Sequence, residues 1–263
     1  MKRIILKNSS LFAAAAMAAL VAVPAHAGSV TQPGETIGFA PGAPLPPGVY
    51  LADTSDYGQV GKTSIGVTIP VLVWSTPVMF LGARVQLLGA APLVEASTPG
   101  SHVQGWYNPW FAAQMAWDLG NGVGVSYLLG VYPKVSGPVA NQSDTINQRG
   151  AISYTANGLN LSANIIYGTE SDTHTVPDYL NADLTATMSH GNWSFGPVGY
   201  ASTDTSSPYG GYRKQSQFAV GGLLGYNFGG IVMQTYLTHV VAQSNYGAND
   251  TRFWLRFIIP MGL

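Results

Sequence analysis

The side chains best suited to chemistry are arginines set at regular intervals within alternating segments. Arg252 and Arg256 lie four residues apart in the run 251–259, whose other parity is Phe253, Leu255, Phe257 and Ile259. Successive strand side chains point to opposite faces, so both arginines share the face opposite the apolar one. The same logic assigns Arg84, Gln86, Gln114, Arg149, Asn164, Asp183 and Gln217 to a polar interior. Two outcomes are open to such a set. It can form a polar, anion-attracting track along a pore. It can also fill a closed interior as satisfied pairs, Asp183 with an arginine for example, because buried charges are normally paired.

Other chemistry finds little support. With no cysteine, disulfides, thiolate metal sites and cysteine nucleophiles are excluded. The five histidines show no HExxH or other metal spacing, so no metal or other cofactor is expected. Ser101-His102 and Asp172 near His174 are the nearest approach to a serine–histidine–acid set, and sequence proximity does not supply its geometry. No catalytic residue is assigned, and the chain is not expected to be an enzyme. Gly120-Asn-Gly-Val-Gly124 superficially suggests a nucleotide loop, but an alternating segment follows where a helix N-terminus would be needed.

The elements that position these residues alternate in polarity. Residues 179–190 carry Leu180, Ala182, Leu184, Ala186 and Met188 on one face, against Asn181, Asp183, Thr185, Thr187 and Ser189. Residues 122–132 and 215–228 repeat the pattern. Strands are expected at 49–58, 63–74, 78–95, 109–119, 122–132, 146–157, 159–168, 179–190, 192–203, 215–228, 231–242 and 251–262. Their length suits a tilted crossing of a bilayer, which takes about 9–11 residues. Tight turns at 120–122, 157–158, 190–192 and 229–230 alternate with polar stretches at 133–145, 169–178, 203–215 and 243–250. Strict short–long alternation is the mark of an up-and-down transmembrane β-barrel with one rim in the periplasm. The expected fold is therefore all-β, an antiparallel barrel of about twelve strands. An even count returns both termini to the periplasm.

Residues 63–83 carry no charge over a length that a helix would need to span a membrane. Pro70, Pro77 and the β-branched content argue instead for two strands hinged near residues 75–77. The other charges concentrate in the long loops, at Lys134, Asp144, Glu170, Asp172, Asp178, Asp204, Arg213, Lys214 and Asp250. Aromatics near strand ends (Trp106, Tyr107, Trp110, Trp117, Tyr132, Tyr167, Trp193 and Phe228) are expected to form interfacial girdles. Trp74, Trp110, Trp117 and Trp193 are left open between a girdle and an aromatic path.

Residues 1–27 read as a signal peptide: basic Lys2, Arg3 and Lys7, an apolar stretch 11–23, and the A-x-A site 25–27. Its removal near Ala27 leaves 8 basic residues against 12 acidic ones, a formal charge of −4 with no basic patch, so nucleic acid is not an expected partner. Residues 28–48 form a Gly/Pro-rich leader without periodicity, a candidate plug, and residues 49–263 form the barrel. Charged residues are only 9% of the chain, far below the roughly 25% of soluble domains. A lipid-facing surface has no need of them. Expected partners are outer-membrane lipid and lipopolysaccharide.

Two motifs carry a family resemblance. The run Pro46-Pro-Gly-Val-Tyr50 opens the first strand, and Arg252-Phe-Trp-Leu-Arg-Phe-Ile-Ile-Pro260 closes the last. Through them the chain resembles the meta-pathway phenol-degradation family of bacterial outer-membrane barrels, over residues 45–263. The closing run also resembles the terminal strand signal of such barrels, although it ends in Leu263 where an aromatic residue is usual. The resemblance implies a barrel that helps small hydrophobic or aromatic compounds across the outer membrane, with no catalytic residues. A sealed structural or surface-interaction barrel is the alternative.

Overall fold

The computed structural model describes residues 29–262, so the expected signal peptide and its cleavage site lie outside the described residues. Among those residues there is no helix. Fourteen strand segments follow one another: β1 (Gly48–Val60), β2 (Thr63–Phe80), β3 (Ala83–Ala90), β4 (Leu93–Thr98), β5 (Ser101–Trp106), β6 (Trp110–Gly120), β7 (Val123–Tyr132), β8 (Thr145–Tyr154), β9 (Leu159–Glu170), β10 (Tyr179–His190), β11 (Trp193–Asp204), β12 (Ser216–Asn227), β13 (Val232–Ser244) and β14 (Asp250–Gly262). Every pairing is antiparallel, and β1 pairs with both β2 and β14, which closes the sheet.

The segments make twelve wall strands, because β3 and β4 are one strand broken at Ala91-Pro92, as β5 and β6 are at residues 107–109. β3 and β4 run successively along β2, at Val71↔Ala90 and Thr68↔Leu93. Pro70 faces the gap between them, where the missing N–H leaves no ladder bond unmade. The break is bridged by the Tyr107 amide, which donates to the Pro92 carbonyl at 2.8 Å.

Three expectations need correction here. The strand expected at 78–95 is divided: Leu81 and Gly82, at φ 50° and 78°, make a turn between β2 and β3. The hinge expected near residues 75–77 is instead a bulge within an unbroken β2. There Pro77 cannot donate, and the Thr76 hydroxyl carries the pairing by donating to the Val85 carbonyl at 2.7 Å. Strict short–long alternation holds only from β6 onward. The two earlier connections on the long-loop rim, Gly61-Lys62 and Pro99-Gly100, are tight. On the opposite rim, Asn157 and Gly158 adopt φ 56° and 76°, the backbone twist that fits a two-residue hairpin.

The outer wall is apolar through most of its circumference. Leu129, Ile152, Leu184, Val220, Leu237 and Phe253 are all exposed, with Leu237 at 54%. A watery surroundings would penalise so continuous a patch, whereas hydrocarbon does not. The exception is the β1–β2–β4 quarter, whose outward parity holds Asp53, Ser55, Thr68 and Glu95. Ser55 and Thr68 hydroxyls lie 3.1 Å apart there. The free edge of β5 is covered by the loop 133–144, since a Cβ at Gly105 would meet Pro138 at 3.1 Å.

Candidate functional site

Inside the wall runs the leader, residues 29–47. Its Gly- and Pro-rich sequence forms successive turns, such as Glu35 N–H to Gln32 O and Phe39 N–H to Thr36 O. Turns leave backbone groups unpaired within the segment, and in a buried place those groups need partners. The barrel provides them. Asp183 accepts from the amides of Gly34 (2.8 Å) and Thr36 (2.9 Å) and from the Thr36 hydroxyl (2.7 Å). Thr185 and Ser153 accept from the amides of Gly38 and Gly42, at 2.8 and 2.9 Å. Gln114 and Ser126 both donate to the Pro41 carbonyl, at 2.9 and 2.7 Å.

The arginines are wholly engaged. Arg256, 0% exposed, donates to the carbonyls of Ile37 and Glu35, to Thr54 (2.8 Å) and to Tyr236 (3.0 Å), and lies over the Phe39 ring at 3.9 Å. Arg149 meets Glu35 of the leader at 2.7 Å, donates to Asn147 at 2.7 Å, and stands 4.3 Å over the Trp110 ring. Arg252 is clasped by Asp56 and by Asp250, the latter at 2.8 Å. Arg84, only half-buried, donates to the Thr76 carbonyl at 3.0 Å near the tight-turn rim.

The remaining residues expected inside are buried as well. Gln86 donates to Ser75 at 3.4 Å, Asn164 to the Thr36 hydroxyl at 3.1 Å, and Gln217 to the Tyr246 hydroxyl at 3.3 Å. The suggested pairing of Asp183 with an arginine is not what forms. Asp183 holds leader amides, and the arginines find their own partners. A row of free guanidinium groups along a pore is likewise not what these contacts describe.

Several residues missed by the alternation matter more. Glu170, Asp204 and Asp250 were expected in loops, but the first two end β9 and β11 and Asp250 begins β14, all three as buried carboxylates. Trp110 and Tyr132 were expected at the interface; they are buried, with rings stacked at 6.0 Å. Among the tryptophans left open, Trp74 and Trp193 face outward and Trp110 faces in. On β2 the inward parity is Ile65, Val67, Ile69, Val71 and Val73, apolar where the pattern elsewhere is polar. The outward parity of β2 mixes Leu72 and Trp74 with Ser64 and Thr68, so its sequence holds no clean alternation to read.

Two cavities follow that apolar strip. The larger, about 670 Å³, reaches the long-loop rim, where Val139, Pro177 and Tyr212 border it. Its wall is mainly Ile65, Val67, Val94, Tyr107, Trp110 and Tyr132. The smaller, about 170 Å³, extends past Val73 and Leu88 to Tyr50 and Ile258, near the tight-turn rim. At the mouth of the larger one, the loop residue Tyr212 donates to Asp204 at 2.6 Å, and burial together with that carboxylate raises the phenol above its ordinary pKa.

Serine–histidine contacts do not assemble a catalytic set. Ser97 and His102 Nδ1 lie 2.8 Å apart on the outward face of β4–β5, and no carboxylate hydrogen-bonds to that histidine among the described residues.

A family model described as "Putative MetA-pathway of phenol degradation" matches residues 38–257. The chain belongs to this family. No protein of curated function matches the sequence. The fold is similar to that of an outer membrane channel from Pseudomonas putida F1, at 12% identity and TM-score 0.64, covering 87% of this chain and 99% of that one. It is also similar to the NanC porin, at 10% identity and TM-score 0.52, covering 80% and 100%. The likeness shows the fold: a closed antiparallel β-barrel of twelve strands, the architecture of outer-membrane proteins.

Proposed function

We propose that this barrel is a passive channel for small hydrophobic or aromatic compounds, with the long-loop rim outside the cell and both termini in the periplasm. The observation that carries the reading is the chamber of about 670 Å³, apolar-walled and bordered by the long loops. Such a wall offers a solute burial without hydrogen bonds, which favours apolar molecules over sugars or ions. Twelve strands fall between the eight of side-chain-filled barrels and the roughly 16–18 of open aqueous porins, so a narrow path fits the circumference. Family membership supports the same substrate class.

The leader acts as a periplasmic plug that narrows the lumen and excludes water-soluble solutes. Lipopolysaccharide and outer-membrane lipid surround the wall, and no nucleic acid, metal or other cofactor takes part. The charge pairing inside favours a second reading, a sealed structural barrel, since Arg149, Arg252 and Arg256 leave no unengaged cation for a solute. Uptake of a planar apolar fluorophore by intact cells carrying the protein separates the two. A channel raises the uptake rate above that of cells without it, and a sealed barrel does not.

A further inference from the structure

The leader fills the lumen unevenly: it packs closely on the β10–β14 side, whereas on the β2 side Val30 joins a core with Ile65, Val67, Ile69 and Trp110 and two cavities remain beside it. On the β11–β14 side, Ile37 of the leader sits among Tyr200, Leu223, Tyr236, Val240 and Trp254, with the last aromatic pair stacked at 5.0 Å. The leader's hydrogen bonds to Asp183, Thr185, Gln234 and Arg256 point to that half as well. On the β2 side, among the described residues, the strand's side-chain hydrogen bond to the leader is Ser75 to the Leu45 carbonyl, at 2.8 Å near the tight-turn rim. Both cavities lie on this emptier side.

They also share walls. Glu35, Ile69, Val71 and Trp110 border both cavities, so the two adjoin at the level where Glu35 pairs with Arg149, whose guanidinium stands over Trp110. End to end, the pair runs from the long loops to Tyr50 and Ile258 near the opposite rim.

Resting on the channel reading above, we infer that an apolar solute crosses along the inward face of β2 while the leader stays in its seat, and that the Glu35–Arg149 pair over Trp110 is the constriction in that route. The strip Ile65–Val67–Ile69–Val71–Val73 provides continuous apolar burial along one side of the route, and the Glu35–Arg149 pair is the polar contact a solute must displace to pass. Unseating the leader would instead break the hydrogen bonds to Asp183 and Arg256 together and leave buried charge unpaired. A solute of modest cross-section passes more easily by displacing one ion pair than by displacing the segment.

The chain has no cysteine, which makes a covalent lock specific. Thr36→Cys with Asn164→Cys joins leader and β9 where the Asn164 amide now donates to the Thr36 hydroxyl at 3.1 Å, and it leaves Asp183 in place to hold the leader amides. The probe is N-phenyl-1-naphthylamine, followed by its fluorescence in intact cells carrying the full-length protein, oxidised or reduced. The route predicts equal uptake in both states. It also predicts that Val71→Trp, on the opposite wall, slows uptake by about tenfold in both, because the indole occupies the narrow space that Val71 borders. In the oxidised lock, Glu35→Ala with Arg149→Ala raises uptake if the pair is the constriction. Uptake that stops on oxidation and returns on reduction overturns the route, as does an unchanged rate in Val71→Trp. An unchanged rate in the double alanine variant overturns the constriction. A wild-type protein that passes no probe overturns the channel reading itself, a result distinct from a locked protein that fails where wild type succeeds.

Discussion

Glu35 of the leader and Arg149 of β8 meet at 2.7 Å inside the barrel, although they stand 114 positions apart in the sequence. Each is largely buried, so each depends on the other for compensation of its charge.

Arg149→Ala or Glu35→Ala alone is therefore expected to lower stability by about 3–5 kcal/mol, because a buried charge is left unpaired. The double alanine variant should cost clearly less than the two single losses combined. A double-mutant cycle of urea unfolding in lipid vesicles measures this. Additive losses would show that the two side chains are not coupled.

Asp183 accepts three hydrogen bonds from leader residues Gly34 and Thr36. Asp183→Ala should free that segment, since the two buried amides lose the carboxylate that accepts from them. Protease cleavage within residues 29–47 is expected to become faster while the barrel remains resistant. Ion conductance in planar bilayers should increase, and still more when 29–47 is deleted. Unchanged conductance after that deletion would count against the plug.

Arg252 is held by Asp56 of β1 and Asp250 of β14, strands that form the closing seam. Arg252→Met leaves two buried carboxylates facing each other without a cation. The expected result is a lower temperature for loss of heat-shifted gel mobility and slower refolding into detergent. Raising the pH should worsen the defect, because the carboxylates then ionise more fully. Wild-type behaviour at every pH would refute this role.

Asp53 lies on the outward parity of β1 and has one carboxylate oxygen buried without a partner. Asp53→Leu is expected to stabilise the barrel in a bilayer by about 1–2 kcal/mol, below the roughly 2–4 kcal/mol measured for a basic residue at the midplane. Conversely, Leu237→Arg on the apolar wall should destabilise by about 2–4 kcal/mol. Unfolding titrations in vesicles report both.

How much of this was legible in the sequence depended on the strand. In β10 and β14 the alternation is clean, so Asp183, Arg252 and Arg256 could be turned inward from parity alone. In β2 it is not, because an apolar inward face is set against an outward face that mixes Leu72 and Trp74 with Ser64 and Thr68, and the hydrophobic interior went unread. Trp110 and Tyr132 looked like interface residues for a similar reason: an aromatic ring near a strand end suits a girdle and a packed lumen equally well. Glu170, Asp204 and Asp250 sit at strand ends, where a shift of one residue decides between loop and lumen.

By itself, the sequence determined the all-β class, the even strand count and the inward face of most polar positions, because a period of two is a local property of the backbone. Only the tertiary structure decided which groups meet. The leader has no periodicity, so nothing local announces that its carbonyls will satisfy Arg256 or that Glu35 will meet Arg149. Those contacts join residues more than a hundred positions apart, and they exist because a closed wall brings its inner face around whatever segment lies within.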